Sequence, residues 1–414
     1  MRPVSFLAGI AATAFVLALA TIALTVWVDP YRMYGTPITP GWTALKPRIY
    51  QQTGIAKTYQ LERTAPRTLL LGNSRVEIGI DPESPAWPPT AQPVFNAAQD
   101  GRGLPTALAM LREAIAVRVP DTVVLGLDIL DFLQNPTPPR THRPPPSADA
   151  RRLLVDRDGR PNPQRAMQIW RDRLATTLTI SALYDSIATL LDQNPSTSDT
   201  MTPQGFNPLH QYRAYVARSG YYELFDQKAA IYQAEYSRLP HPNFAQPFQY
   251  SSFRYLRRIM VLAAKHKIRL ILYIHPYHAD YLEMLHQVGL WPSFDDWKLA
   301  LVRVVESENR LLSTEVPLYD FAEYDRFTTE PVPPPGDHRS RMQWYWESAH
   351  YKSALGDQVL ARIFGGTKSF GSLLTSHNID GRLANIDAAR LNYLNHGQPE
   401  TDEVLPVSAR DASR

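Results

Sequence analysis

The chain reads as an α/β fold built on a parallel sheet, set behind an apolar amino-terminal helix and interrupted by an α-rich insertion. Three observations predict this. Short apolar runs stop at turn formers, at Arg67 to Gly72, Asp121 to Asp128 and Ile268 to Ile274, as buried strands do. Amphipathic helical stretches stand between such runs, and strand, helix, strand with short connections implies parallel pairing and a right-handed crossover. Finally, no charged residue occurs from Val4 to Val28, a run of 25.

That run is long enough to span a bilayer as a slightly tilted helix. Trp27, Tyr31 and Tyr34 stand where interfacial aromatics belong. A cleaved signal peptide is the rival reading, with Ala18-Leu19-Ala20 as its site. The run continues past it to Val28, however, which favours an uncleaved anchor. Arg2 precedes the span, while Arg32, Lys46 and Arg48 follow it, so basic residues do not settle the orientation. The short head and large trailing domain imply a single-pass protein with its domain on the extracytoplasmic side. Residues 1–35 form this anchor and a juxtamembrane turn, Asp29 to Gly35.

An α/β domain is expected over 36–366. A helix near Gln51 to Leu61 leads into the first strand at Arg67 to Gly72. Pro93 to Gly101 reads as the second strand and its exit loop. Leu104 to Val117 is a helix, with Leu104, Ala107, Leu108, Leu111 and Ile115 on one stripe. Asp121 to Asp128 is the third strand. The insertion covers 131–249. It opens on a Pro-rich loop, Gln134 to Pro146, and continues as helices over Gln164 to Leu191 and Tyr212 to Arg238. The second helix is aromatic, with Tyr215, Tyr221, Tyr222, Phe225, Tyr232 and Tyr236. Those rings either line a carbohydrate or acyl groove or pack the helix onto the core. The rhythm resumes with a helix at Ser252 to His266, a strand at Ile268 to Ile274, helices at Ala279 to Val288 and Phe294 to Leu312, and a last strand at Val316 to Phe321. A Pro-rich loop from Thr328 to Met342 precedes a helix at Ser353 to Phe364. Residues 367–414 form a polar tail, with one or two helices up to Tyr393 and disorder after Asn395.

Composition bounds the function. The 414 residues can bury a full α/β core and still carry insertions. A net charge of +3 is too small to argue for nucleic acid. The absence of cysteine excludes disulfides, thiol catalysis and cysteine-based zinc sites. No phosphate-binding glycine loop occurs, and no cofactor is called for. His275 and His278 have a spacing that resembles metal ligation, but Pro276 intervenes and only Asp280 and Glu283 lie near, so no metal site is assigned.

Chemistry concentrates at Gly72-Asn73-Ser74-Arg75. Gly72 lets the backbone turn and leaves Ser74 at the carboxyl end of a strand, where open α/β sheets bind ligands. A serine there needs a base, and Glu347-Ser348-Ala349-His350 offers one. At that spacing the carboxylate reaches the imidazole Nδ1, fixes the tautomer and frees Nε2 to take a proton from Ser74. Asp337 is a rival acid, and Ser74 has the alternative role of capping its turn. Val76 stands where a Gly-x-Ser-x-Gly elbow would need glycine, which argues against an α/β-hydrolase fold.

Gly72-Asn73-Ser74-Arg75 resembles the first block of the SGNH/GDSL hydrolase superfamily, with Gly101 and Asp128 at its second and third blocks and Glu347 to His350 similar to its terminal Asp-x-x-His. The anchor followed by Asp-Pro-Tyr is most similar to two exported branches, the alginate O-acetylation proteins and the membrane-anchored protein of teichoic acid D-alanylation. The resemblance implies a three-layer flavodoxin-like sandwich and a serine nucleophile, Ser74, with His350 as base and Glu347 as orienting acid. It implies an oxyanion held by the N–H groups of Ser74 and Gly101 with the Asn96 amide, and activity on O-acyl groups of a cell-surface polysaccharide, with a multi-spanning membrane acyltransferase as partner. The chain departs from the pattern at three places: Asn73 replaces aspartate, Asp128 replaces the third-block asparagine, and Glu347 replaces aspartate. The second departure removes an oxyanion donor. It leaves open a non-catalytic reading, an assembly factor or polymer-binding module.

Overall fold

The computed structural model describes residues 3–136, 147–366 and 370–396. Most of the Pro-rich loop expected at Gln134 to Pro146, and the tail beyond His396, lie outside the described residues.

Helix α1 (Pro3–Val28) is apolar on every face, and its segment Phe6–Val28 is long and apolar enough to cross a membrane. A short 3-10 turn and α2 (Thr53–Thr64) lead to β1 (Thr68–Leu71), all four residues of which are buried. Then come α3 (Ser74–Gly79), β2 (Val94–Asn96), α4 (Leu104–Val117) and β3 (Thr122–Leu127). Four α-helices follow among the described residues ahead of α9: α5 (Ala148–Arg152), α6 (Arg165–Thr177), α7 (Ile180–Leu191) and α8 (His210–Tyr236), the last kinked at Gly220. The chain returns through α9 (Ser251–Lys265), β4 (Arg269–Ile274), α10 (Ala279–Gln287), α11 (Trp291–Leu312) and β5 (Leu318–Asp320). It ends in a hairpin of β6 (Tyr345–Glu347) and β7 (His350–Tyr351), then α12 (Ser353–Gly365), β8 (Ser372–Leu373) and α13 (Ile379–His396).

The central sheet has the order β2-β1-β3-β4-β5-β8. The first five strands pair in parallel, and β8 adds an antiparallel edge. Alternation along the strands feeds two cores. Leu69, Leu71, Val123, Leu125 and Leu272 enter one, with side chains of α4, α9 and α11. Leu70, Val124, Ile271 and Tyr273 enter the other, with side chains of α8 and α12. A strand covered on both faces must be apolar throughout, which is why β1 and β3 read as unbroken runs.

Three short elements differ from expectation. Ser74 opens a buried helix, α3, where a turn was expected. Ser-Arg-Val-Glu-Ile-Gly is a poor intrinsic helix former, so packing supplies the helix. Glu347 and His350 sit on a hairpin, where the sequence assigned no strand. In the tail, Ser372 and Leu373 pair with β5 where a helix was expected; two residues are too few to carry a periodicity.

Candidate active site

The chain order of the strands reverses between β1 and β3, so the loops leaving these two strands diverge and open a crevice at their carboxyl ends. Ser74 lies there as the first residue of α3. The Asn73 side chain caps the helix, accepting from the Arg75 N–H at 3.0 Å. As the first helical residue, Ser74 keeps an N–H with no partner inside the helix.

The hairpin brings a carboxylate and an imidazole to this point. Its tight turn pairs Glu347 with His350 across the two strands. His350 Nδ1 is hydrogen-bonded to Glu347 Oε1, and His350 Nε2 lies 2.9 Å from Ser74 Oγ. With Nδ1–H donated to the carboxylate, Nε2 is the acceptor for the serine proton. Glu347 is fully buried, yet two further donors hold it: the Ala349 N–H at 2.9 Å and the Tyr232 hydroxyl at 3.1 Å. Burial alone would raise its pKa, but the His350 imidazole and the Ala349 N–H outweigh this and hold the carboxyl below its usual range. Ser74 is nearly buried, and the His350 side chain is 15% exposed. The structure thus brings Ser74, His350 and Glu347 into one hydrogen-bonded line. Asp337 is engaged elsewhere, accepting from Arg339 and Ser340 in its own loop.

The Asn96 amide is a correction. Its nitrogen donates to the Val76 carbonyl at 2.8 Å and the Ile80 carbonyl at 3.0 Å, and its oxygen accepts the Ala98 N–H at 3.1 Å. Both amide hydrogens are therefore used to tie down the end of α3, and none is left for an oxyanion. Gly101 lies in the exit loop of β2 with φ at +63°. That loop is pinned beside the Ser74 turn: the Gln99 N–H donates to the Gly72 carbonyl at 3.3 Å and the Asp100 N–H to Glu77 at 3.2 Å. Glu77 is in turn paired with buried Lys57 at 3.0 Å.

Behind Ser74 lies a second buried cluster. Asp128 pairs with Arg75 and accepts from Asn73 Nδ2 at 2.7 Å, the Leu130 N–H at 3.1 Å and the Tyr277 hydroxyl at 3.2 Å. The Arg75 guanidinium lies 5.1 Å from the ring centroids of both Tyr277 and Tyr281. Burial pushes Asp128 up, but Arg75 and the other partners pull it further down, so it stays ionised. Asp128 therefore anchors the strand end. His275 and His278 also have structural roles. His278 Nδ1 caps α10 by accepting the Asp280 N–H at 3.1 Å, and its Nε2 lies 2.8 Å from the Glu330 carbonyl. His275 is buried against Tyr351, 3.3 Å from its hydroxyl. Among the described residues, no group of three His, Cys, Asp or Glu side chains is placed to hold a metal ion.

A cavity of about 410 Å³ opens beside the hairpin, with Ile78, Arg213, Tyr221, Arg341, Trp346 and Lys352 among its walls. Burial lowers the Lys352 pKa to about 8, and its ammonium donates to the Tyr221 hydroxyl at 2.7 Å. Of these residues the sequence singled out only Tyr221, although Arg213 and Arg341 fall within the helix and the loop expected at Tyr212 to Arg238 and Thr328 to Met342. Arg213 lies far along the chain from Arg341 and Lys352, and Tyr232 is 115 residues from the glutamate it touches.

Compared with known proteins, the chain matches no family model, no curated protein and no solved structure.

Proposed function

We propose that this protein is a membrane-anchored serine esterase or O-acyltransferase of the SGNH type, acting on O-acyl groups of a cell-surface polysaccharide. The observation that carries the reading is the line from Ser74 Oγ through His350 to buried Glu347. The strand order 2-1-3-4-5 supports a flavodoxin-like three-layer sandwich, whose ligands bind at this crevice. The four helices between β3 and α9 are the insertion, and α8 brings Tyr232 over the catalytic acid. The apolar α1 supports a single-pass anchor with the domain on the extracytoplasmic side.

Two of the three departures from the SGNH pattern explain each other. Asn73 must accept from the Arg75 N–H and donate to Asp128 at once, which an ionised aspartate cannot do. Amide and carboxylate have exchanged places across one hydrogen bond, and Arg75 neutralises the displaced charge.

The chemistry is two-step acyl transfer. Ser74 Oγ attacks the ester carbonyl while His350 Nε2 takes its proton. The tetrahedral oxyanion is held by the N–H groups of Ser74 and Gly101. Collapse breaks the ester bond, and the leaving alkoxide takes the proton from His350. Water or a sugar hydroxyl then attacks the acyl-serine, giving its proton to His350; the bond to Ser74 Oγ breaks, and Oγ takes that proton back. The cavity beside the hairpin, with aromatic walls and three cations, would hold sugar units away from the ester, since neither Ser74 nor His350 lines it.

One observation favours the non-catalytic alternative, an assembly or polymer-binding factor working with a multi-spanning acyltransferase. Neither Asn96 nor Asp128 supplies the side-chain oxyanion donor, and losing one such donor typically costs about a hundred- to a thousandfold in rate. A fluorophosphonate probe separates the two readings. The enzyme labels, and Ser74→Ala abolishes the label; wild-type protein that stays unlabelled is the binding factor.

A further inference from the structure

Helices α6 and α7 have inverted polarity. The side chains that α6 turns inward are Gln168, Asp172, Thr176 and Thr177; those of α7 are Ala182, Asp185, Ser186 and Thr189. The inward acids are partnered. Asp172 accepts from Arg152 at 2.6 and 3.0 Å and from the Tyr59 hydroxyl at 2.9 Å, and Asp185 accepts the Tyr31 hydroxyl. The apolar side chains point outward instead: Trp170, Leu174, Leu178, Ile180, Ile187 and Leu191, with Ile180 88% and Leu191 83% exposed. A helix at an aqueous surface does the opposite. Arg171 and Arg173 are exposed on α6, but from Leu174 to Leu191 no exposed residue is charged, and an apolar face of this kind marks something that covers it.

The neighbour identifies the cover. Both helices pack against α1, and Thr25 Oγ1 of α1 donates to the Thr177 carbonyl at 3.2 Å, at the bend between them. Shielding on α1 is confined to its carboxyl-terminal part, where Ala18, Thr21, Ile22, Leu24 and Val26 are half-buried and Thr25 and Val28 buried, while Phe15, Leu17 and Leu19 remain exposed. From Val28 back to Thr25, which touches the bend, is about 4.5 Å of helix, so the bend stands just inside the roughly 30 Å layer that α1 would cross. The 56° bend joins two helices that together are long and apolar enough for a broken span or a re-entrant loop. Helical backbone is self-satisfied at that depth, and polar side chains there face protein. About two turns before the bend, the Arg173 guanidinium lies 5.7 Å from the Trp170 ring, the pairing of aromatic and long cation found at the membrane interface.

We infer that α6 and α7 form a re-entrant hairpin that dips into the half of the bilayer nearest the α/β domain, with lipid hydrocarbon covering its outer face. The inference rests on α1 lying in a bilayer. With two insertions the domain cannot swivel about a single helix, so the Ser74 crevice is held at a constant height above the membrane.

The chain has no cysteine, so single cysteines can be placed in the full-length protein. Spin labels at Ile180→Cys, Leu178→Cys, Val16→Cys in α1 and Lys265→Cys on the exposed end of α9 are compared in vesicles of phosphatidylethanolamine and phosphatidylglycerol, at one protein per vesicle. The hairpin predicts that labels at 180 and 178 resemble that at 16: relaxed by oxygen, and about tenfold less accessible to a water-soluble nickel chelate than the label at 265. Two hairpin positions guard against one variant misfolding. A shielded label at 16 with labels at 178 and 180 as accessible as that at 265 overturns the hairpin alone. An accessible label at 16 overturns the anchor and the hairpin together. Shielding at 180 that appears only in crowded vesicles makes a second copy the cover, and also overturns it.

Discussion

Glu347 keeps its negative charge out of reach of water because three donors, His350 Nδ1, the Ala349 N–H and the Tyr232 hydroxyl, converge on it. Replacing it by glutamine keeps the volume but removes the charge and offers the imidazole the wrong partner. Glu347→Gln should slow fluorophosphonate labelling by about a thousand- to ten-thousandfold with the fold intact. Tyr232→Phe removes one donor to the carboxylate, so the carboxyl pKa rises. Glu347 then protonates earlier on acidification, and the acid limb of the labelling profile should move to higher pH. An unmoved limb would mean that Tyr232 only packs. Ser74, Glu347 and His350 were legible in the sequence because reactive residue types stood at telling places: one after a strand, two at a spacing that brings ring to carboxylate. Tyr232 was one ring among several on an aromatic helix, and nothing local marked its hydroxyl. Asn96 was misjudged for the same reason. Its place at a strand's end was visible, but the carbonyls that claim its amide are those of Val76, in a helix that propensity did not foresee, and of Ile80 just past that helix.

At the scale of elements, the site depends on how closely α3 meets α12. A Cβ on Gly356 would lie 1.9 Å from the Gly79 carbonyl oxygen, and a Cβ on Gly79 would lie 2.0 Å from the Tyr351 ring. The helix that begins with Ser74 and the helix that follows His350 therefore touch backbone to backbone, and this joins residues 276 positions apart. Gly356→Ala should force the helices apart, cost about 1–3 kcal/mol in denaturant unfolding and slow Ser74 labelling as well. Gly365→Ala, at the open end of the same helix, meets nothing within 4 Å and should leave both unchanged or slightly improve stability. Equal behaviour of the two variants would remove the crossing from the account. The long elements were readable because periodicity accumulates over many residues. The hairpin, β8 and α3 were not, since two to six residues hold too little pattern and their form is imposed by neighbours.

For the molecule as a whole, the parallel sheet, the helices around it and the apolar first helix were all present in the pattern of apolar runs. The inverted polarity of α6 and α7 was not, because a helical wheel does not say which face meets protein. The interior also sets a pH dependence. Burial, aided by Glu62, pushes the Glu113 carboxyl up to about 8, while its Oε2 accepts the Leu154 N–H at 2.8 Å. In the unfolded chain this group ionises near its ordinary value. As pH rises from there toward 8, the unfolded state loses its proton while the folded state keeps it, and stability falls across that window. The thermal midpoint should therefore drop between about pH 5 and about pH 8, and Glu113→Gln, which keeps an acceptor for Leu154, should flatten the decline. The central claim is that Ser74 forms a covalent acyl intermediate with His350 as its base. Intact-mass spectrometry of the full-length protein exposed to a small activated acetyl ester tests it most directly. The account predicts one acetyl group on the peptide carrying Ser74, removable by hydroxylamine and absent from Ser74→Ala and His350→Ala; an acetyl group that persists in Ser74→Ala, or wild-type protein that never acquires one, would contradict it.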